Sequence, residues 1–208
     1  MKFCHKPNQQ LIDSSKLYHE KKYLSVTKLT GKESEQAIAD WRKRVGDEVA
    51  DKIMKQSSQR GTNIHNFIEN YLSNEEIMVP ESAIENYYTF KSMKPELNKI
   101  DNIVGLEVPV YSDEYRLRGR FDCLAEYNGE LSMIDFKTSK KVKKKDWIQP
   151  YFIQATAYTE MIKEHTDLDI KNIVLIFGIT DYNLCKVEIE QPKNFIKELN
   201  RINNVYNI

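Results

Sequence analysis

The stretch that decides the fold is RGRFDCLAEYNGELSMIDFKT, Arg118 to Thr138. It reads as two strands around a tight turn. Asn128-Gly129 is the hairpin signal, because both residue types accept the positive φ that a two-residue turn needs. In the first strand a period of two sets Leu117, Phe121, Cys123 and Ala125 on one face and Arg118, Arg120, Asp122 and Leu124 on the other. The second strand, Leu131 to Phe136, ends in Asp135-Phe136-Lys137, with Asp135 and Lys137 on one side and Phe136 on the other. Antiparallel pairing can bring Asp122 beside them. Two carboxylates and an ammonium at one sheet edge suit metal-assisted phosphodiester hydrolysis, and equally suit a surface ion pair.

Spacing alone does not decide between these. An acid two residues before a lysine occurs three times, at Glu20, Asp135 and Asp169. Only Asp135 closes an apolar run and has a second acid on a neighbouring strand.

Working outward, the upstream half reads as helical. Residues 1 to 24 lack sustained periodicity and are expected to be extended or loosely ordered, with Leu24 to Leu29 leading into a helix. Gly31 to Arg44 and Asp47 to Gln56 are expected as short helices, Ser57 to Thr62 as a turn with Thr62 as N-cap, and a third helix follows with Ile64, Phe67, Ile68, Tyr71 and Leu72 as its apolar stripe. Glu81 to Asn98 is a further helix that Pro95 kinks or ends. Strands over 103–111, 115–127 and 130–138 form a meander. Beyond it lie a lysine-rich turn (140–145), a long helix over 146–165, an almost wholly apolar strand from Asn172 to Thr180, a strand over 184–190 and a terminal helix opened by Pro192. The fold class is therefore α+β, with helices packed on a mixed sheet.

Composition narrows the function classes. Lys+Arg and Asp+Glu are both 31 in 208 residues, so a nucleic-acid partner needs a local basic patch rather than a global field. Three widely spaced cysteines, Cys4, Cys123 and Cys185, point to a reducing compartment and are too few for a four-thiolate cluster. No signal core or membrane-length apolar run is present, and the expected location is cytoplasmic.

The stretches LSVTKLTG, WRKRVGDEVADKI, RGTNIHNFIENYL, LEVPV, LRGRFDCLAEYNGELSMIDFKTSK and PYFIQATAYTEMI occur in that order over residues 24 to 165. Together they resemble the RecB-type branch of the PD-(D/E)XK nuclease superfamily, particularly its phage exonuclease and mitochondrial genome maintenance exonuclease members. The resemblance implies a restriction-endonuclease-like core with an N-terminal helical lobe. That is a single nuclease domain over 1–208, with 1–58 as extension and lobe and 59–208 as core. It implies a Mg²⁺- or Mn²⁺-dependent DNA exonuclease preferring single-stranded or free-ended DNA, in a bacterial host or phage-infected cell, working with replication or recombination proteins and no membrane; a structure-specific endonuclease of the same fold and a non-catalytic DNA-binding protein are the alternatives.

For the site, the resemblance implies His65, Asp122, Asp135 and the Phe136 carbonyl as metal ligands. Asp122, Asp135 and Lys137 are its catalytic residues, and Gln154 and Tyr158 hold the substrate strand. Imidazole suits Mn²⁺ better than Mg²⁺, whereas carboxylates suit both. Read as a residue alone, His65 is by default a structural or surface histidine, a preference that the resemblance reverses, and Glu69, four residues on, shares its helix face. Glu107 is open between a supporting group, a further ligand and an exposed strand residue. Tyr151, Arg118, Arg120, Lys140, Lys141, Trp41 and Arg42 are candidate DNA contacts; the alternatives are packing for Tyr151 and Trp41, pairing with acids for Arg118 and Arg120, and a solvated turn for the lysines. The late cysteine group of the iron–sulfur relatives is missing, so no iron–sulfur cluster is expected.

Overall fold

The structure is a computed structural model and describes residues 2–207. Its helices are α1 (Gln9–Ser15), α2 (Val26–Gly31), α3 (Glu35–Val45), α4 (Asp47–Leu72), α5 (Ile84–Leu97), α6 (Gln149–His165) and α7 (Ile196–Tyr206). Its strands are β1 (Leu24–Ser25), β2 (Ile100–Ser112), β3 (Leu117–Tyr127), β4 (Glu130–Ser139), β5 (Asn172–Ile179) and β6 (Leu184–Glu190).

β2, β3 and β4 form the expected antiparallel meander, and Asn128 (φ 52°) and Gly129 (φ 84°) make the tight turn. β4 then pairs parallel with β5 through the α6 crossover, and β6 returns antiparallel on β5. β5 is buried on both faces, as its unbroken apolar run requires. Val174 and Ile176 face a core with Ile64, Phe67, Phe90 and Met93 from α4 and α5. Leu175 and Phe177 face the other core, with Phe152 and Met161 from α6 and Leu199 from α7. Helices thus cover both sides of a mixed sheet.

Several expectations are corrected. Ser57 to Thr62 is not a turn, and Thr62 caps nothing: both lie inside α4, a continuous helix of 26 residues. The glycine at 61 costs a helix about 1 kcal/mol relative to alanine. Anchoring of the following turns by Ile64, Phe67, Ile68 and Leu72 offsets that cost. Residues 9–15 are helical rather than loose, because the Asn8 side chain caps the Leu11 N–H at 2.9 Å and Leu11 is buried. The long helix begins at Gln149, preceded by a 3-10 turn that leaves Trp147 exposed.

The most informative departure is in β3. Leu117 and Phe121 face the α6-side core, whereas Cys123 and Ala125 face the α4-side core, so the alternation slips at Asp122. β2 slips opposite it. Leu106 pairs with Cys123 and Val108 with Phe121, but the Glu107–Asp122 rung between them is absent. Glu107 has a φ of 50°, a left-handed conformation that costs a non-glycine residue about 1–2 kcal/mol.

Candidate active site

The β3–β4 ladder ends at Cys123–Ile134, one rung short of Asp122 and Asp135. Beyond that rung β4 stays with β5, while the start of β3 pairs with β1 through Leu117 and Arg118. The two strands therefore fork, and the backbone groups released at the fork are met by side chains. The Phe136 N–H donates to Asp122 Oδ2 at 2.8 Å. His65, projecting from α4, places Nε2 2.8 Å from the Phe136 carbonyl oxygen and Nδ1 3.8 Å from Asp122 Oδ2.

Ligand atoms of His65, Glu107 and Asp122 lie within 4.8 Å of one another. They line a crevice of about 10 Å³ with Glu69 and Phe136, room for roughly one ion or water. Asp135 stands on the other side of Phe136, only 2% exposed. Its Oδ1 accepts from Lys137 Nζ at 2.7 Å, while its Oδ2 is buried without a hydrogen-bond partner. A buried carboxylate oxygen with no donor is costly unless a cation completes it. Three carboxylates and a carbonyl are hard oxygen donors that fit Mg²⁺ or Mn²⁺, and the one imidazole, a softer donor, favours Mn²⁺ of the two.

The electrostatics follow the same geometry. Burial pushes the Asp135 carboxyl up to about 6, with Lys137 pulling against it and Asp122 adding to it. Burial, then the Asp122 charge, pushes Glu107 up to about 7. Burial works against the Lys137 ammonium, but the charges of Asp135 and Asp122 and the hydrogen bond to Asp135 outweigh it and hold its pKa above the usual lysine value.

The other sequence candidates divide by place. Tyr158 is buried, and its phenol pKa is raised, by burial first and then by the charges of Asp135 and Asp122. It packs over Gly119, where a Cβ would stand 2.6 Å from Tyr158 Cε1. Gln154 Nε2 donates to the Tyr158 hydroxyl at 3.3 Å. The Tyr151 ring lies 5.1 Å from Lys137 Nζ and 4.6 Å from Lys143 Nζ, and Lys143 also donates to its hydroxyl. Lys143 sits in the lysine run without any feature of its own in sequence, so only the fold reveals its contact with Tyr151.

Arg120 is exposed, and its charge reaches Glu107. Arg118 instead donates to the Lys21 carbonyl at 3.0 Å and lies over the Tyr18 ring, bracing β1. Lys140 and Lys141 are exposed just past β4. Arg42 is tied to Asp47 and Asp51 across the α3–α4 junction, and the neighbouring Trp41 is half-buried. Glu69 is exposed at the crevice rim.

Residues 18–198 match the profile of the PD-(D/E)XK nuclease superfamily. The chain belongs to that superfamily. It has the restriction-endonuclease-like fold of that superfamily, whose nucleases use divalent metal ions. It is 29% identical over 136 residues to human (Homo sapiens) mitochondrial genome maintenance exonuclease 1, a match covering 61% of this chain and 39% of that protein. To the mouse (Mus musculus) protein of the same name it is 32% identical over 84 residues, covering 40% of this chain and 25% of the other. The chain thus spans well under half the length of these curated relatives. A solved structure described as "Crystal structure of SSO0001" aligns over 95% of this chain and 85% of that one, at 14% identity and a TM-score of 0.39. No helix among the described residues of this PD-(D/E)XK protein is long and apolar enough to cross a membrane.

Proposed function

We propose that this chain is a Mg²⁺- or Mn²⁺-dependent deoxyribonuclease that shortens single-stranded or free-ended DNA from its ends. The observation that carries the reading is the fork, where His65, Glu107, Asp122 and Phe136 line a crevice and the Asp135–Lys137 pair, with its orphaned Asp135 oxygen, stands on the other side of Phe136. Asp122, Asp135, the Phe136 carbonyl and His65 would hold the ion, and Glu107 would join them on the Asp122 side. When bound, such an ion polarises the scissile phosphate and acidifies the attacking water.

The remaining chemistry belongs to the chain itself. Lys137 is held ionised by two carboxylates and reaches the surface of the site. It is placed to orient the nucleophile and to offset the negative charge that develops on the phosphoryl oxygens. Asp135 fixes the ammonium in that position. Tyr151, with Lys143 against it, offers a cationic edge for the strand beside the scissile bond, and exposed Lys140, Lys141 and Arg120 extend it. Gln154, with Tyr158 behind it, faces the same strand.

The relatives are described as exonucleases, which supports the choice of strand ends over internal sites. A reducing cytoplasmic setting agrees with three free cysteines. A role in phage-type DNA replication, recombination or degradation, beside the proteins of those processes, agrees with the motifs.

The test is a time course on DNA labelled at either end, linear and circular, single- and double-stranded, in EDTA, Mg²⁺ and Mn²⁺. Progressive shortening of linear strands with circles intact is the expected result. Cut circles would make the protein an endonuclease, and no cleavage with any metal would leave a DNA-binding protein on a nuclease fold.

A further inference from the structure

Beside the fork the sheet end opens into a polar cleft of about 850 Å³. One wall is α4, which turns Gln56, Gln59, Arg60 and Asn63 toward it at helical spacing. The opposite wall is the first half of α5, with Asn86 and Tyr88, and the turn between β5 and β6 closes the floor with Asn183. α5 lies this close to the sheet because residue 178 is glycine. A Cβ there would stand 2.8 Å from Met93 Sδ and 2.9 Å from Thr89 Cγ2. Thr89 Oγ1 in turn donates to Asn183 Oδ1 at 2.9 Å and orients that amide.

Lys140 lines the cleft three residues after Lys137, so the cleft lies past the end of β4. Asn63 and His65, two residues apart on α4, point to opposite faces of that helix, so the cleft and the crevice lie on different sides of it.

The lining is unlike a track for duplex backbone. Its cations, Arg60 and Lys140, are balanced by Glu85 and Asp181, whereas backbone binding is driven by neutralising several phosphates. What dominates is carboxamide: five side chains, Gln56, Gln59, Asn63, Asn86 and Asn183, each with donor and acceptor groups to match base edges. Tyr88 is 52% exposed, an aromatic face open to stacking. Arg60 lines the cleft as well, with its guanidinium braced by a donated bond to Ser57 Oγ at 3.2 Å.

We infer that this cleft holds unpaired bases of the substrate strand: Tyr88 stacks on a base, the carboxamides bond base edges, and Arg60 takes one backbone phosphate. Paired bases have their Watson–Crick edges and both stacking faces occupied, so the cleft selects unpaired strand through base contacts rather than charge. The inference rests on the nuclease reading proposed above and adds the means of recognition.

The test is anisotropy of short fluorescein-labelled single-stranded oligodeoxynucleotides in EDTA, with natural bases or with abasic residues throughout. Natural oligonucleotides are expected to bind roughly tenfold tighter than abasic ones, from stacking and edge contacts. Tyr88→Ala should erase most of that discrimination, and Arg60→Ala should weaken both ligands alike. Tyr88 is exposed, so its truncation leaves the core intact, and a melting curve checks this. Equal binding of natural and abasic strands, binding of neither, or full discrimination by Tyr88→Ala would overturn the inference. Cleavage by the unaltered protein in Mg²⁺, run in parallel, reports on the nuclease reading alone. Cleavage without base discrimination sinks only the cleft, and discrimination without cleavage sinks only the nuclease.

Discussion

The carboxylate of Asp122 accepts the backbone N–H of Phe136 at 2.8 Å, across the point where β3 and β4 part. A side chain thereby replaces the ladder bond lost at the fork. It also fixes the Phe136 peptide so that its carbonyl lies against His65. Asp122 therefore has two separable tasks, one in the backbone and one in the chemistry.

Asp122→Asn and Asp122→Ala should divide those tasks. An asparagine can still accept the Phe136 N–H, whereas alanine leaves that donor unmet. Alanine is expected to cost roughly 1.5–3 kcal/mol in a denaturant titration, and asparagine clearly less. Both should lose metal-supported cleavage. Equal stability of the two variants would mean that the hydrogen bond does not hold the fork.

Glu107 and Asp135 give the metal-free protein a pH dependence of definite sign. Their carboxyls are pushed up to about 7 and about 6, from ordinary values of 4.5 and 3.8. A group whose folded value is raised contributes stability that is complete below its unfolded value and lost as pH rises through the folded one. In EDTA, Glu107→Gln should therefore melt higher than the unaltered protein at pH 8. The gap should close as pH falls toward 4.5. Added Mg²⁺ should narrow it at pH 8, by compensating the carboxylate that the variant lacks. A gap that widens on acidification would refute this account of Glu107.

Gly119 should tolerate no side chain. A methyl group there meets the buried Tyr158 ring at 2.6 Å, and the ring belongs to a packed core rather than a flexible tip. Gly119→Ala is expected to destabilise by about 1–3 kcal/mol in a denaturant titration. It should also lower cleavage by displacing Tyr158 and Gln154, which bonds to it. Unchanged stability and unchanged cleavage together would show that this packing is slack.

Much of the sheet was legible because its signals are local. Asn128-Gly129 sets the hairpin, and the apolar run from Asn172 has only one place to go, between two other strands. The fork was less legible. A period of two carries β3 straight through Asp122, whereas the slip there comes from Glu107 opposite, whose left-handed φ has no signature in a glutamate. The turn expected at Ser57 to Thr62 failed for a related reason. Polar residues and a glycine mark turns locally, but α4 is held from Ile64 onward by a sheet that lies far along the chain. The polar cleft was hidden by that same reading, since Gln56, Gln59, Arg60 and Asn63 share a face only if the helix is continuous. His65, Asp122, Asp135 and Lys137 could be named from motifs. The distances between them, and the grouping of Glu107 with His65 and Asp122, needed the fold.

The most direct test of the central claim is the Mn²⁺-supported cleavage rate of Lys137→Ala on linear single-stranded DNA, beside unaltered protein with a comparable melting curve. If Lys137 orients the nucleophile and offsets phosphoryl charge at the fork, the rate should fall by roughly a hundredfold or more. A variant that folds and cuts within a few-fold of the unaltered rate would place the chemistry somewhere other than the β3–β4 fork.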